Sequence, residues 1–332
     1  MALEWDVAKF EFGERFRKSY NDISYLAKGG CGAVFSCKGE DDKKYAVKIC
    51  NVGGDNPQRE AIMLEELKNH SSIVHYEEHW LEYKPLLYDG VYYGDDEEKD
   101  KSLYLVMELC RTSLLDLFER GEDFDCGTGL RWFKEIIEGL VHIHKKDIIH
   151  GDITSANVFL DDLQHVKIGD FGFGRGTSSD KSVGDDIFRA GCIFVEILHP
   201  TMTDIERYNA SGRLKNSIFP EGFKHDTEFL IDLLEYRPRA PRILEKLNEA
   251  INAGGTDDAI LSRILKMVSR SLNFIVEDLD GKKVRGNMST IFTYAAFDAY
   301  CVSRENEDTI PSKGQLEREE ELSPGLGQIL AA

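Results

Sequence analysis

The sequence predicts an α+β fold with two lobes, a small strand-rich lobe followed by a larger helical one. Short runs rich in β-branched and aromatic residues, separated by glycine-rich and charged turns, predict strands over residues 22–26, 33–37 and 45–49. After the strands, apolar residues recur at helical spacing, most clearly over residues 130–145 and 187–198. This order of elements gives the two lobes.

Further elements follow the same patterns. The run from residue 58 to 68 carries apolar residues among charges and predicts a helix, and residues 103–107 predict another strand. Helices are also predicted over residues 114–120, 229–236 and 243–251.

Changes in residue pattern divide the chain into four parts. We predict an N-terminal extension over residues 1–20, a strand-rich lobe over 21–109, a helical lobe over 110–251 and a C-terminal extension over 252–332. An acidic insert at residues 84–102 interrupts the first lobe and is predicted to be a solvated loop, with a specific docking motif as the alternative.

The C-terminal extension carries fewer signals. Thr256 is placed to cap a helix that begins with two aspartates, and Asp280-Gly281 predicts a hairpin turn. The glutamate-rich run after residue 317 and the small residues beyond it predict a disordered end.

Charge and hydropathy restrict the function. The chain has 332 residues and a formal net charge of −19, so binding of nucleic acid through a basic surface is not expected. No stretch approaches the ~20 apolar residues that cross a bilayer, and the first residues lack the apolar core of a signal peptide. We therefore expect a cytoplasmic protein with no membrane contact.

A glycine-rich loop lies between the first two predicted strands, as Lys28-Gly29-Gly30-Cys31-Gly32-Ala33-Val34. Glycines allow a backbone to approach phosphate oxygens, and bare N–H groups bind anions. A tight hairpin turn explains the loop equally well. Because a strand rather than a helix follows, a dinucleotide-binding Rossmann unit is not favoured.

A lysine interrupts the apolar strand Ala46-Val47-Lys48-Ile49. A buried ammonium is unfavourable unless it is paired, and Glu60 in the next helix is a candidate partner. Such a pair would hold the ammonium against the phosphates of ATP. The alternative is a surface lysine on an edge strand.

The strongest signal combines two segments, His150-Gly151-Asp152-Ile153-Thr154-Ser155-Ala156-Asn157 and Ile168-Gly169-Asp170-Phe171-Gly172. Asp152 can accept a hydroxyl proton, whereas Asn157 and Asp170 supply the hard oxygen ligands that Mg²⁺ prefers. Each residue alone has an ordinary explanation as a helix cap or a turn. Their order behind the glycine loop and Lys48 predicts a site for Mg-ATP.

Taken together, residues 20 to 250 resemble the eukaryotic protein kinases. One branch is favoured by the short spacing from Lys48 to Glu60, by the insert and by four segments: Ser72-Ile73-Val74-His75-Tyr76 leading to His79-Trp80-Leu81-Glu82, Leu103-Tyr104-Leu105-Val106-Met107-Glu108-Leu109-Cys110, Arg213-Leu214-Lys215-Asn216-Ser217-Ile218-Phe219-Pro220 and Arg237-Pro238-Arg239-Ala240. This set resembles the kinases that phosphorylate the alpha subunit of translation initiation factor 2.

The resemblance assigns roles that the residues alone do not. It implies a catalytic set of Asp152, Lys48 and Glu60, and metal ligands at Asn157 and Asp170. It makes Met107 the gatekeeper of the nucleotide site. The remaining implied nucleotide contacts are the loop residues Ala27, Gly29, Gly30 and Gly32, the residues that sandwich adenine, Val34, Ala46 and Phe159, and the backbones of Glu108 and Cys110. It also implies a substrate-docking helix from about residue 204 to 215.

Four departures from the family pattern stand out. Ala27 occupies the place of the first loop glycine, and Gly151 replaces the arginine that pairs with a phosphorylated activation loop. Thr154 replaces the lysine that neutralises the transferring phosphate. The segment from Phe171 to Asp186 is too short for a full activation loop and lacks the Ala-Pro-Glu motif, so Arg237 is expected to be without its glutamate partner.

These observations favour a Ser/Thr protein kinase that uses ATP and Mg²⁺ and acts on the translation factor in a stress response. The alternative is an inactive or weakly active pseudokinase that regulates such a kinase or its substrate by binding. A kinase for a small molecule would explain the short loop but not the docking helix. Homodimers, or heterodimers with a related kinase, are compatible with the resemblance.

Overall fold

The computed structural model describes residues 5–28, 32–52, 58–92, 101–173, 175–176 and 182–267. The chain divides into two compact units, Met1–Ser271 and Leu272–Ala332. The predicted hairpin at Asp280-Gly281 and the predicted disordered end both lie outside the described residues.

The described strands are β1 (Phe10–Glu11), β2 (Tyr20–Lys28), β3 (Gly32–Gly39), β4 (Lys44–Val52), β5 (Tyr76–Glu82), β6 (Leu87–Tyr88), β7 (Val91–Tyr92), β8 (Lys101–Glu108), β9 (Thr112–Ser113), β10 (Ile148–Ile149), β11 (Val158–Leu160), β12 (Val166–Ile168) and β13 (Arg175–Gly176). The helices are α1 (Glu14–Ser19), α2 (Arg59–Leu67), α3 (Leu114–Glu119), α4 (Cys126–Lys145), α5 (Val183–Leu198), α6 (Asp204–Leu214), α7 (Glu228–Ile231), α8 (Ala240–Asn252) and α9 (Asp257–Leu265). A π-helical turn, Asp232–Tyr236, follows α7.

The strand-rich lobe is built on an antiparallel sheet in the order β2-β3-β4-β8-β5. Side chains alternate along β3, so Ala33, Phe35 and Cys37 are buried on one face. Helix α2 contacts the edge strand β5. The predicted strand-then-helix order, and with it the α+β fold class, is confirmed.

Residues before β2 cover the outer face of this sheet. Phe16 in α1 is fully buried, and its ring lies 5.1 Å from that of Phe12 and 5.5 Å from that of Tyr104. The backbone N–H of Gly13 donates to the Tyr104 hydroxyl at 2.7 Å. The segment predicted as an N-terminal extension therefore shares the core of the strand-rich lobe.

The described part of the acidic insert is not the solvated loop that the sequence predicts. Strands β6 and β7 form a hairpin across Asp89 and Gly90, with φ of 53° and 78°, and β6 pairs with β1. An Asp-Gly pair adopts these left-handed angles readily, which explains the turn. Leu86 is fully buried next to it. The rest of the insert, residues 93–100, lies outside the described residues.

The helical lobe is organised around α4 and α5. The rings of Phe133 in α4 and Phe194 in α5 stack with centroids 3.9 Å apart, and both side chains are fully buried. Thr256 caps α9 as predicted, because its side chain accepts from the backbone N–H of Ala259. Helix α9 contacts α4 and buries Ile264, so ordered packing continues past residue 251.

Arg237 has a carboxylate partner other than the glutamate of the missing Ala-Pro-Glu motif. It pairs with Asp185 at the start of α5. The sequence expectation considered only the missing Ala-Pro-Glu motif, whereas the fold brings a different acidic residue to the same arginine.

Candidate active site

A cavity of about 490 Å³ lies between the two lobes. It brings together most of the residues predicted to bind nucleotide or metal, namely Ala27, Val34, Ala46, Lys48, Glu60, Met107, Glu108, Cys110, Asn157, Phe159 and Asp170. Gly29 and Gly30 lie outside the described residues, so the structure leaves their predicted contacts as a prediction.

Lys48 is the central cation of this cavity. It lies on β4, and its Nζ is 2.9 Å from both carboxylate oxygens of Glu60 on α2 and 2.8 Å from Oδ1 of Asp170. The lysine is only 6% exposed. The proposed alternative, a surface lysine on an edge strand, is therefore wrong: β4 is an inner strand and the ammonium is buried between two carboxylates.

Burial and pairing compete in setting the charges of these groups. Burial acts to lower the pKa of Lys48, but Glu60 and Asp170 outweigh it and the net shift is upward. Burial acts to raise the pKa of Asp170, but the adjacent ammonium outweighs it and the net shift is downward. Burial dominates at Glu60, the less exposed carboxylate, and raises its pKa. Lys48 and Asp170 are thus charged at neutral pH.

The backbone at Asp170 is held in a conformation that non-glycine residues rarely adopt, with φ of 57°. Its neighbour Gly169 allows close packing, because an added Cβ would lie 2.8 Å from Cγ2 of Val74 and 3.1 Å from the Phe159 ring. The Gly169 N–H also donates to the backbone oxygen of Asn157 at 3.0 Å. These contacts set Asp170 beside Asn157.

The loop that carries Asp152 is anchored from below by Asp186 on α5. The fully buried Asp186 carboxylate accepts from the backbone N–H of His150 at 3.0 Å and from that of Gly151 at 2.8 Å. Asn157 Nδ2 donates to the backbone oxygen of Asp152 at 2.9 Å and to its Oδ2 at 3.0 Å. Asp152 is thus fixed beside the cavity rather than on its wall.

His150 completes the anchor as a neutral imidazole. Its Nε2 lies 3.0 Å from the Gly169 oxygen, and its Nδ1 accepts from the Asp152 N–H at 3.2 Å. This pair of contacts requires the proton on Nε2 and a bare Nδ1. Burial lowers the pKa of His150, although nearby carboxylates act in the opposite direction.

The apolar wall of the cavity contains the predicted adenine contacts. Ala46 pairs with Met107 across β4 and β8. The backbone N–H of Glu108 already donates to the His75 oxygen at 3.0 Å, so a contact from Glu108 to adenine would use its carbonyl. Burial raises the pKa of the Cys110 thiol to about 12, so this cysteine is protonated at neutral pH.

Gly32 has a structural role that its predicted phosphate contact did not include. A Cβ at this position would lie 1.9 Å from the backbone oxygen of Ile49, so only glycine fits between β3 and β4 there. Val74 and Gly169 also line the cavity and were not predicted from the sequence, although both lie in motif segments on which the family resemblance depends.

Asn157 and Asp170 fit a hard cation. Because the Asn157 amide nitrogen is used by Asp152, its oxygen is left as a ligand. The Lys48 ammonium and the backbone N–H of Gly172 both donate to Oδ1 of Asp170. The second oxygen of that carboxylate, Oδ2, would then be the one that binds a cation. In the part of the chain that the structure describes, no three His, Cys, Asp or Glu residues form a closed metal site. A Mg²⁺ ion here would need further ligands from phosphate and water.

The family model described as the protein kinase domain matches residues 20–191, more than half of the chain. The chain belongs to the protein kinase family. The matched range includes the paired lysine on β4, the loop of Asp152 and the segment of Asp170.

Several known kinases are similar to this chain. Over 267 residues it is 32% identical to the interferon-induced, double-stranded RNA-activated protein kinase of Rattus norvegicus. The alignment covers 70% of this chain and 51% of that protein. Over 270 residues it is 27% identical to the eIF-2-alpha kinase GCN2 of Arabidopsis thaliana. This alignment covers 60% of this chain and 22% of that protein. The Serine/threonine-protein kinase Nek1 of Mus musculus is 26% identical over 298 residues, and the alignment covers 77% of this chain and 22% of that protein.

The chain therefore spans about half the length, or less, of these relatives. The predicted resemblance to protein kinases, with eIF-2-alpha kinases among the relatives, is confirmed. Among the residues that the structure describes, no helix combines the length and the apolar character needed to cross a membrane.

Proposed function

We propose that this protein is an active Ser/Thr kinase that transfers the terminal phosphate of Mg-ATP to the alpha subunit of translation initiation factor 2 during stress. The observation that carries the proposal is the double pairing of Lys48, at 2.9 Å from Glu60 and 2.8 Å from Asp170, on the wall of the cavity. This arrangement holds one cation where the phosphates of a nucleotide would enter.

In the proposed reaction, Asp152 accepts the proton of the substrate hydroxyl while the hydroxyl oxygen attacks the terminal phosphorus and ADP leaves. Asn157 supports this role, because its amide holds Oδ2 of Asp152 and orients the carboxylate. Lys48 binds and orients the phosphate chain of ATP. Positioning and charge stabilisation account for most of the acceleration in reactions of this class.

Asn157 and Asp170 would hold Mg²⁺, which supplies positive charge to the phosphate oxygens when it is bound. Asp170 is suited to this role because the adjacent ammonium keeps its pKa low, so that it is an anion at neutral pH. The apolar wall that includes Val34, Ala46 and Phe159 would bind adenine.

We propose that the substrate docks on α6 and the turn that follows it. Thr203 caps this helix and forms a capping box with Glu206, so its first turn is well defined. Ile205 is 75% exposed and Ile218 is 50% exposed. Arg213 and Lys215, near the end of the helix, are exposed and positively charged. In this proposal the exposed apolar and basic side chains contact the folded protein substrate.

The same proposal places the kinase in the cytoplasm and assigns it a protein substrate rather than nucleic acid, which the net charge of −19 disfavours. Its assembly partners would be a second copy or a related kinase.

Thr154 and the short segment before α5 favour the second candidate, a pseudokinase that binds a kinase or its substrate without phosphate transfer. The two candidates differ in one measurement, transfer of labelled phosphate from Mg-ATP to the purified factor. Activity that is lost in both Asp152→Asn and Asp170→Asn supports the kinase. No transfer by the wild-type protein, together with retained binding of the factor, supports the pseudokinase.

A further inference from the structure

Arg189 on α5 reaches the loop that carries Asp152. It follows the anchoring residue Asp186 by three positions, so both side chains lie on the same face of the helix. Because Asp186 accepts hydrogen bonds from the backbone of His150 and Gly151, this face of α5 packs against the loop. Arg189 Nη1 lies 3.7 Å from Oδ1 of Asp152.

The loop itself offers no mobile cation at this point. Residues 150–157 contain no lysine or arginine, and His150 is buried and neutral through its contacts to Gly169 and Asp152. Among the lysines and arginines whose side chains the structure describes, Arg189 is the one with a nitrogen within 4 Å of the Asp152 carboxylate. A phosphate that is transferred beside Asp152 would have this guanidinium as its counter-charge on the side of α5.

We propose that Arg189 supplies, from helix α5, the positive charge that the loop of Asp152 lacks, and that its guanidinium binds the terminal phosphate of ATP during transfer. The proposal rests on the proposed kinase function. A guanidinium is charged at every working pH and matches the geometry of phosphate oxygens with paired N–H groups. Charge placed where the transition state needs it is the largest single contribution in many enzymes.

The geometry favours this role over a block on Asp152. The distance of 3.7 Å exceeds that of an N–H···O hydrogen bond, so the pair is a loose one. Oδ1 of Asp152 thus keeps its capacity to accept a proton, while Asn157 holds Oδ2. The Arg189 side chain is 38% exposed and has room to turn toward a bound phosphate.

Four variants test the role of Arg189 in phosphate transfer: Arg189→Ala, Arg189→Lys, Thr154→Lys and the double variant Arg189→Ala/Thr154→Lys. We expect Arg189→Ala to lower kcat about 100-fold, as removal of one transition-state donor does. Arg189→Lys should retain more activity than Arg189→Ala, and Thr154→Lys should restore at least about tenfold in the Arg189→Ala background. Arg242→Ala, which removes an exposed arginine on α8, is the matched control and should leave kcat unchanged.

A second readout does not depend on phosphate transfer. The affinities for Mg-ATP and Mg-ADP are measured by calorimetry, and Arg189→Ala should lower the preference for ATP about tenfold. If the wild-type protein transfers no phosphate, the kinase proposal fails, but this ratio still tests Arg189. An unchanged ratio, or a rise in kcat in Arg189→Ala, would overturn the assignment. Both measurements are repeated with Arg189→Gln, which keeps a polar side chain of similar shape but removes the positive charge.

Discussion

Arg237 donates from Nη1 to Oδ1 of Asp185 at 2.9 Å, which ties the turn before α8 to the first turn of α5. The same carboxylate accepts from the backbone N–H of Ser182 at 2.9 Å through Oδ2, so Asp185 also closes the start of its own helix. The Arg237 guanidinium lies over the Phe188 ring at 5.1 Å. This pair therefore fixes the end of the shortened segment to the helical lobe without an Ala-Pro-Glu motif.

We predict that Arg237 and Asp185 are energetically coupled. In a double-mutant cycle of Arg237→Gln and Asp185→Asn, the coupling measured by urea unfolding should be about 1 kcal/mol, the upper end for exposed pairs, since both side chains are partly buried. Arg237→Gln alone should cost more than Asp185→Asn, because it also removes the contact with Phe188. Both variants keep a side chain at residue 237, where φ is 47°.

The exposed pair Glu14 and Lys18 on α1 is the matched control for this cycle. Its coupling should be about 0.3–0.5 kcal/mol. A coupling at Arg237 and Asp185 that is no larger than the control would show that the contact does not stabilise the fold.

Replacement of Lys48 should destabilise the fold as well as the site. Lys48→Met leaves Glu60 and Asp170 without their shared cation, and loss of one partner from a buried pair costs about 3–5 kcal/mol. Adding Glu60→Gln should recover part of this loss, because it removes the more deeply buried charge. The free energy of unfolding in urea measures both effects.

The pH dependence of Lys48→Met gives an independent check. Burial already raises the pKa of Glu60, and the Lys48 ammonium is the largest effect that opposes it, so the pKa in the variant lies further above its unfolded value of about 4.3. The folded state then binds more protons than the unfolded state, and stability relative to wild type increases as pH falls from 7 to 5. A stability difference that does not change with pH would contradict this account.

Acidification should weaken the loop that holds Asp152 through His150. Its folded pKa is depressed by burial, so between the unfolded value of about 6.5 and that lower value the unfolded state binds more protons. Stability contributed by neutral His150 is complete above pH 6.5 and is lost as pH falls below it, by up to about 1.4 kcal/mol per pH unit. Urea unfolding between pH 7.5 and 5.5 measures this slope.

His150→Asn removes the titrating group and should give a shallower slope over the same pH range. Equal slopes in the variant and in wild type would show that another residue is responsible. The same experiment with His165→Asn, an exposed histidine on the helical lobe, controls for a general effect of removing an imidazole.

The sequence predicts well those elements in which apolar residues recur at regular helix or strand spacing. Helix α4 was predicted over residues 130–145 and extends over Cys126–Lys145, and the predicted strand at 45–49 lies within β4. Strand β5 was missed because it lies at the edge of the sheet, where Trp80 is its one buried side chain and three of its seven residues are glutamates. The β6–β7 hairpin was missed because its Asp-Gly signal lies in the insert that the acidic run at residues 95–98 marks as a loop.

The site shows the same division. Lys48, Glu60 and Asp170 could be selected from the sequence because a charged residue in an apolar strand and an aspartate in a glycine turn are locally unusual. Arg189 and Asp185 carry no local signal. Their partners are 37 and 52 residues away in sequence, respectively. The packing of α5 beneath the loop brings Arg189 to Asp152, and the packing of the π-helical turn Asp232–Tyr236 against α5 brings Arg237 to Asp185. Contacts of this kind depend on the tertiary fold and cannot be read from period or spacing.

The aromatic segment before β2 should be required for folding of the strand-rich lobe. Phe16 is fully buried among Phe12, Tyr20 and Tyr104, so Phe16→Ala should cost about 3–5 kcal/mol. Leu163→Ala, at a side chain that is 77% exposed, should change stability by less than about 0.5 kcal/mol. Thermal unfolding distinguishes the two, and a small loss in Phe16→Ala would mean that residues 1–20 are a separable extension.

Substrate docking on α6 predicts a loss of transfer without a loss of nucleotide binding. Arg213 and Lys215 are exposed at the end of the helix and do not line the cavity that contains Lys48 and Asp170. Their joint replacement by Glu should lower phosphorylation of the folded factor by about tenfold or more, the effect of ~1.4 kcal/mol in binding. Affinity for Mg-ATP, measured by calorimetry, should stay at the wild-type value.

Two further variants make this test specific. Glutamate at the end of a helix opposes the helix dipole, so the neutral pair Arg213→Gln and Lys215→Gln shows the docking effect without that strain and should give a smaller loss of the same kind. Reversal of Lys43 and Lys44, two exposed lysines on the strand-rich lobe, applies the same change of charge elsewhere and should leave transfer unchanged. If the Lys43 and Lys44 variant loses as much activity as the α6 variant, net charge rather than docking sets the rate. If the α6 variant phosphorylates the factor at the wild-type rate, the docking surface is wrong, and the choice of this factor as substrate loses its main structural support.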